Sequence, residues 1–406
     1  MNYELLYGKN YDEKFQTARI TALIEKFTKA EGFSPAFTYS SSGRAEILGN
    51  HTDHQHGKVV VSAISCDILA AVSPTAKRQV KICSEGYRDI VVNLSDLTVK
   101  EREYGTSTAL TRGVLADITK RFGEIEGGFT AHITSNVFKG AGVSSSAAFE
   151  LLVAEITNDL YFNGNISAVE KAAISQFSEN VYFNKPCGIL DQMGISLGGL
   201  TNLDFAIPEK PVIQSLKAPE GYAFVITNTG GDHAHLTSHY ADIKTEMKQI
   251  CEYFNASVLR EVEESAFYAE MPKLIQKFPA RAILRAKHIF DENAVVDRAV
   301  IALNSGNGQA FLQCVADSGE SSLTQLQNNF VPGEKVQPIP LALKLSQKYL
   351  GSHGAVRVHG GGFAGTVLAV VETEKAEGYM AYMKSLFGEE NCFLAKVREK
   401  GACRIV

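Results

Sequence analysis

Two glycines, three serines and an immediate helical period make Gly140-Ala-Gly-Val-Ser-Ser-Ser-Ala-Ala-Phe-Glu150 the stretch of this chain best suited to chemistry. Glycine lets the backbone turn tightly and approach a ligand. The helix that follows offers unpaired N–H groups and the positive end of its dipole, so the segment is suited to hold an anion such as a phosphate. Phe149, Leu152, Val153, Ile156 and Leu160 recur at helical spacing and predict a helix over 147–162 with one buried face. The same residues suit a serine-capped helix after a glycine turn, and the segment alone does not choose. Asp191 lies in Gly188-Ile-Leu-Asp-Gln-Met-Gly194, small or apolar company in which a carboxylate is costly to bury without a partner. It also suits the cap of the next turn. His51, His54 and His56 crowd together, but His-x-x-His-x-His is not a common structural-zinc spacing and no cysteine lies near.

These groups need elements to position them. Short strands are predicted over 64–72, 79–82 and 130–137, the last leading directly into the glycine–serine segment. A second helix starts at Ser167, where Ser167 and Glu170 have capping-box spacing. A strand over 200–205 closes the first half, a Pro-containing stretch over 207–219 follows, and an apolar strand is predicted over 222–227. Helices are predicted over 237–254, 258–267, 281–303 and 310–328, then a Pro-rich loop over 331–340. A helix and a strand follow on either side of a last glycine-rich segment, Val358-His-Gly-Gly-Gly-Phe-Ala-Gly365. Strands and helices mixed without strict alternation predict an α+β fold. With 406 residues, 45% of them hydrophobic, the chain can bury a large core and is expected to form two lobes, 1–208 and 209–406.

A net charge of −5 gives no electrostatic footprint for nucleic acid or an anionic membrane. No apolar stretch reaches membrane-spanning length and the first residues lack a secretory pattern, so a cytoplasmic protein is expected. Seven scattered cysteines, without a Cys-x-x-Cys pair, suit free thiols in a reducing compartment.

Four segments, taken in order, carry a resemblance. Gly43-Arg-Ala-Glu-Ile-Leu-Gly-Asn-His-Thr-Asp-His54, the Gly140 segment, Cys187-Gly-Ile-Leu-Asp-Gln192 and the last glycine loop resemble the signatures of the GHMP small-molecule kinases, and specifically of the galactokinase family. That family reads Gly-Arg-x-Asn-x-Ile-Gly-Glu-His-Thr-Asp-Tyr in the first segment. In the other three it reads Gly-x-Gly-Leu-Ser-Ser-Ser-Ala, Cys-Gly-Ile-Met-Asp-Gln and Gly-Gly-Gly-Phe-Gly-Gly. The resemblance implies the two-lobed GHMP fold with sugar and ATP meeting in the cleft. It also implies a phosphate loop at Gly140, Gly142, Ser144, Ser145 and Ser146, and a Mg²⁺ site at Ser146 and Glu179. Asp191 and Arg44 are the implied catalytic pair, with Asp191 a base or an electrostatic anchor. The implied sugar contacts are Arg44, Asn50, His51, Asp53, Gly188, Asp191 and Tyr240. A carboxylate accepts from two hydroxyls and an imidazole both donates and accepts, which suits Asp53 and His51 to that role.

Departures bear on the substrate. Asn50 stands where the family has Glu, the residue expected to accept from the sugar's C6 hydroxyl, and His54-Gln55 follows the Asp as in the galacturonate kinase branch. On this reading Asn50→Glu preserves galactose use and excludes a C6 carboxylate. The family's Trp-x-x-Tyr is Ser107-Thr-Ala-Leu110 here, which alters the expected adenine-side packing, and its Arg pair after Tyr240 is replaced by Ala241-Asp-Ile-Lys244. The expectation is an ATP-dependent sugar 1-kinase, monomeric or weakly self-associating, with galactose ahead of galacturonate. A sugar sensor without catalysis is the reading from another class, disfavoured because the serine loop and Asp191 are intact. Mevalonate- or homoserine-type phosphorylation is disfavoured because His51-Thr-Asp53 is a sugar signature.

Overall fold

The computed structural model describes residues 3–137, 142–230 and 236–405. In chain order its strands are β1 (Phe37–Leu48), β2 (Lys58–Thr75), β3 (Gln79–Ser84), β4 (Ile90–Asn93), β5 (Gly128–Ser135), β6 (Leu200–Asp204), β7 (Val212–Leu216), β8 (Tyr222–Asn228), β9 (Gly354–His359), β10 (Thr366–Glu372), β11 (Cys392–Leu394) and β12 (Cys403–Arg404). One sheet runs β12-β1-β2-β5-β3-β4, with β6 on the first part of β2 and β7 on β6; the other runs β11-β8-β10-β9. Pairing is antiparallel except between β3 and β5. The fold is α+β, as the mixed pattern predicts.

Side chains alternate between faces along a strand, and the sheets use both faces. In β2, Leu69 and Ala71 pack under the helix Glu13–Glu31 against Ile20, Leu23 and Phe27. Ala70 and Val72 point the other way into the main core. In the second sheet, Val225, Val367, Ala369 and Val371 meet Tyr379 and Met383, while Phe224, Ile226, Leu368 and Val370 join the same main core. Both sheets thus contribute one face to a continuous interior, and the cleft is fixed by shared packing.

Four local expectations differ. The Pro-containing stretch after 207 holds β7, an outermost strand paired to β6. Flanking prolines are tolerated there because an edge strand leaves one row of N–H groups unpaired. β12 also returns to the first sheet. The predicted helix 258–267 is a 3-10 turn, Leu259–Glu261, followed by Glu264–Ala269. The helix predicted over 310–328 leaves α geometry at Ser321 and continues as a π turn to Leu326. The loop expected over 331–340 ends early because Pro338 starts the helix Pro338–Leu350, where its missing N–H costs nothing.

Candidate active site

The site is assembled where β1, two helix starts and the β9–β10 turn meet. β1 carries a register shift at Ser42/Gly43, immediately before Arg44; such bulges re-aim side chains. Arg44 is 5% exposed, and its Nε and Nη2 donate to Asp191 Oδ1 at 2.8 and 2.7 Å. Its Nη1 donates to Gly142 O and its backbone N–H to Val143 O at 3.1 Å. Asp191 lies in the first turn of the helix Leu190–Leu197, with its side chain 35% exposed. The predicted pair is therefore formed: the buried guanidinium aims and neutralises a carboxylate open to the cleft.

The glycine–serine segment ends in the helix Ser145–Tyr161, which starts two residues before the expected 147. Gly142 has φ +62°, and a Cβ there would stand 2.6 Å from Thr366 Oγ1, so only glycine fits. Ser144 adopts the left-handed conformation, and its hydroxyl donates to Asp191 Oδ2. Thus one of the serines expected to hold phosphate engages the Asp191 carboxylate in this structure. Gly140 lies outside the described residues.

Ser146 Oγ donates to Glu179 Oε1 at 3.2 Å. Glu179 sits in the π turn Ser178–Tyr182, 3% exposed, and accepts from Gln192 Nε2 at 3.0 Å and Lys185 Nζ at 3.0 Å. Glu150 is close by: burial, then the charge of Glu179, raises its carboxyl well above the ordinary value, and its Oε1 is buried without a hydrogen-bond partner. The Ser146 hydroxyl and the Glu179 carboxylate are hard oxygen donors, with the unpartnered Glu150 oxygen buried close by, and this donor set fits Mg²⁺ at Ser146 and Glu179.

On the other side lie His51, Asp53, Gly188 and Tyr240. A Cβ at Gly188 would collide with the Asp53 carboxylate, so glycine permits the two segments to meet. His51 and Tyr240 stack at 6.5 Å between ring centroids. Both are tied to the last glycine loop: His51 Nε2 lies 3.0 Å from Gly361 O and Tyr240 Oη donates to Gly362 O at 2.9 Å. Burial pushes the His51 pKa down to about 4, so the ring is neutral at pH 7. A carbonyl only accepts, so the proton is on Nε2 and Nδ1 is left as an acceptor. Burial also raises the Tyr240 phenol to about 12, which keeps it a donor.

Asn50 is placed differently from the sequence expectation. It is fully buried, and the protein takes up its amide: Nδ2 donates to Glu46 Oε1 and Gly360 O, each at 2.8 Å. Its Oδ1 accepts from Asn328 Nδ2 at 2.8 Å. Glu292 Oε1 accepts from Gly49 N at 2.9 Å and Asn50 N at 3.3 Å, and His288 Nε2 donates to Asn50 O at 2.9 Å. In this structure both ends of the side-chain amide are thus engaged by protein groups. Glu46, paired with Arg357 at 3.2 Å, is the residue the sequence reading missed. A signal was present, since Glu46 stands where the family pattern has Asn and Asn50 stands where it has Glu.

The zinc reading of His51, His54 and His56 gains nothing, because among the described residues the cluster of three His, Cys, Asp or Glu side chains within reach of one ion is Glu31, Cys83 and His132. None of the seven cysteines is in a disulfide. Among the described residues no helix is long and apolar enough to cross a membrane.

Comparison with known proteins agrees with this geometry. The GHMP kinases N terminal domain matches residues 109–199 and the galactokinase galactose-binding signature matches residues 25–74. A galactokinase of Glaesserella parasuis serovar 5 (strain SH0165) is 30% identical over 356 residues, covering 87% of this chain and 89% of that protein. One from Actinobacillus pleuropneumoniae serotype 3 (strain JL03) is 28% identical over 366 residues, covering 87% and 90%. Among solved structures, Lactococcus lactis galactokinase complexed with galactose superposes with a TM-score of 0.84 at 24% identity, over 95% of this chain and 100% of that one. Methanococcus jannaschii mevalonate kinase gives 0.63 at 14% identity, over 89% and 98%. At these identities the structures speak for the fold.

Proposed function

The chain belongs to the galactokinase family of the GHMP kinases, and from that premise we propose that it transfers the γ-phosphoryl group of ATP to the anomeric hydroxyl of a sugar, galactose first. The observation that carries the reading is the Arg44–Asp191 pair, 2.7 Å at its closest, open to the cleft beside the phosphate-loop helix. Phosphoryl transfer leaves the protein little covalent work and asks mainly for positioning and charge. Asp191 accepts the sugar hydroxyl's proton or orients that hydroxyl, and Arg44 fixes its carboxylate. The N–H groups at the start of the helix Ser145–Tyr161 hold phosphate oxygens. Ser146 and Glu179 would hold Mg²⁺, which when bound shields the charge of the β- and γ-phosphates.

Galactose is favoured by the group His51, Asp53, Gly188 and Tyr240. Together they offer a neutral imidazole acceptor, a carboxylate, a close backbone approach and a phenol. The test is a panel of free sugars with ATP and Mg²⁺, followed as ADP release. Galactose at the head of the panel supports the assignment. Preference for galacturonate would move the substrate to a uronic acid and leave the transfer reading in place, whereas ADP release with none would return the chain to the sugar-sensor class.

A further inference from the structure

A developing phosphoryl charge needs a cation aimed at it. Arg44 is aimed elsewhere: three of its five N–H donors go to Asp191 and Gly142 O, which fixes its guanidinium on the carboxylate. Lys185 is placed otherwise. It stands between the π turn Ser178–Tyr182 and the helix Leu190–Leu197, its side chain is 62% exposed, and its ammonium lies 3.0 Å from Glu179 Oε1. That oxygen is also the one that accepts from Ser146 Oγ, so the ammonium shares the serine–carboxylate pair argued above to suit a divalent ion.

We propose that Lys185 is a catalytic cation that leaves Glu179 for the γ-phosphate once the nucleotide and its divalent ion take up the Ser146–Glu179 pair. The proposal deepens the kinase reading and rests on it. Two cations cannot both sit close to one carboxylate oxygen without mutual repulsion, and the divalent ion is the stronger competitor. The displaced ammonium has a flexible four-carbon stem, and the triphosphate is the adjacent uncompensated negative charge. Without nucleotide, the same ammonium offsets part of the repulsion between Glu150 and Glu179. The transfer itself forms the bond from the sugar oxygen to γ-phosphorus and breaks the bond from γ-phosphorus to the β,γ-bridging oxygen. ADP leaves with the bridging oxygen and Lys185 gives up no proton.

Lys185→Met and Lys185→Arg test the proposal with two readouts. Mn²⁺ binding to the nucleotide-free protein, measured by electron paramagnetic resonance, should tighten in Lys185→Met because a competitor for Glu179 is gone. In turnover with ATP and the best sugar, kcat should fall on the order of 100-fold with the sugar KM unchanged, and Lys185→Arg should restore part of it. The two effects have opposite signs, which a merely structural role would not produce. Weaker Mn²⁺ binding together with lower kcat would make Lys185 a positioning residue for Glu179 and overturn the proposal. A rise in sugar KM confined to a uronic acid would overturn it by assigning the cation to the sugar. Unchanged kcat in an active protein would overturn it alone, whereas a wild type that releases no ADP with any sugar defeats the kinase reading as well.

Discussion

Asn50→Glu tests the buried network in which Asn50 Nδ2 donates to Glu46 Oε1. From sequence it exchanges a neutral acceptor for the family's charged one and leaves galactose use intact. From structure it places a second carboxylate where Asn50 Nδ2 now donates to Glu46 Oε1 at 2.8 Å, in a position that is fully buried. Two charges roughly 3 Å apart at an effective dielectric of about 20 repel by about 5 kcal/mol, so one carboxyl takes up a proton instead. Burial already raises Glu46 above its ordinary 4.5. Binding that proton at pH 7 costs about 1.4 kcal/mol for each pH unit above 4.5, or about 3.4 kcal/mol, and at pH 5 only about 0.7. For 406 residues an unfolding entropy near 2.1 cal/mol/K per residue makes this a fall of about 4 °C in Tm at pH 7 and under about 1 °C at pH 5. Differential scanning calorimetry at both pH values checks it. The double variant Glu46→Asn/Asn50→Glu restores one carboxylate and one amide to the pair and should recover most of the loss. A single variant with unchanged Tm at pH 7 would refute the placement of Asn50, and a gain in galactose kcat/KM alongside would put residue 50 on the sugar after all.

Asp191→Asn should lower kcat by several orders of magnitude with ATP binding nearly intact, because asparagine keeps the shape but neither the charge nor the basicity; calorimetric ATP titration beside steady-state kinetics checks both halves. Glu179→Gln should raise the Mg²⁺ concentration for half-maximal rate, since an amide is a poorer ligand for a hard cation, and an unchanged Mg²⁺ dependence would count against the site. Glu150 gives a pH test. Its folded pKa lies well above the ordinary 4.5, so its stabilising contribution is full below that value and is lost as pH rises through the raised one. Glu150→Gln should therefore melt higher than wild type at pH 8 in EDTA and nearly the same at pH 4.5; equal melting at pH 8 would contradict the burial argument.

What was legible in the sequence was whatever one segment decides. The capping box at Ser167 and Glu170 forms as its spacing predicts, and the helix after the three serines begins at Ser145. Arg44 and Asp191 are 147 positions apart, and the resemblance paired them where periodicity could not. The π turn that carries Glu179 was not legible, because an i→i+5 turn has no pattern distinct from the α-helix it interrupts. β7 was hidden by its prolines. The network around Asn50 was hidden for a different reason: its partners Glu46, Glu292 and Gly360 come from β1, the helix Ala280–Asn304 and the β9–β10 turn, up to 310 positions away.

That network also explains why the last glycine loop belongs to the site although it carries no reactive side chain. Gly360 O accepts from Asn50, Gly361 O from His51 and Asn328, and Gly362 O from Tyr240. His359, immediately before them, accepts at Nε2 from the Glu46 N–H at 3.1 Å, so its proton is on Nδ1, which donates to Thr366 Oγ1 at 3.0 Å. Burial, and then Arg44 and Arg357, hold this imidazole well below its ordinary pKa, consistent with the neutral tautomer that both contacts require. One turn of the second sheet therefore fixes the backbone beside Arg44, the ring of His51 and the phenol of Tyr240 through carbonyls and a neutral histidine. Fixing by backbone groups keeps Asp53, Asp191 and Lys185 out of that carbonyl network, a division of labour that suits the proposed phosphoryl transfer, in which positioning and electrostatics are the chief means.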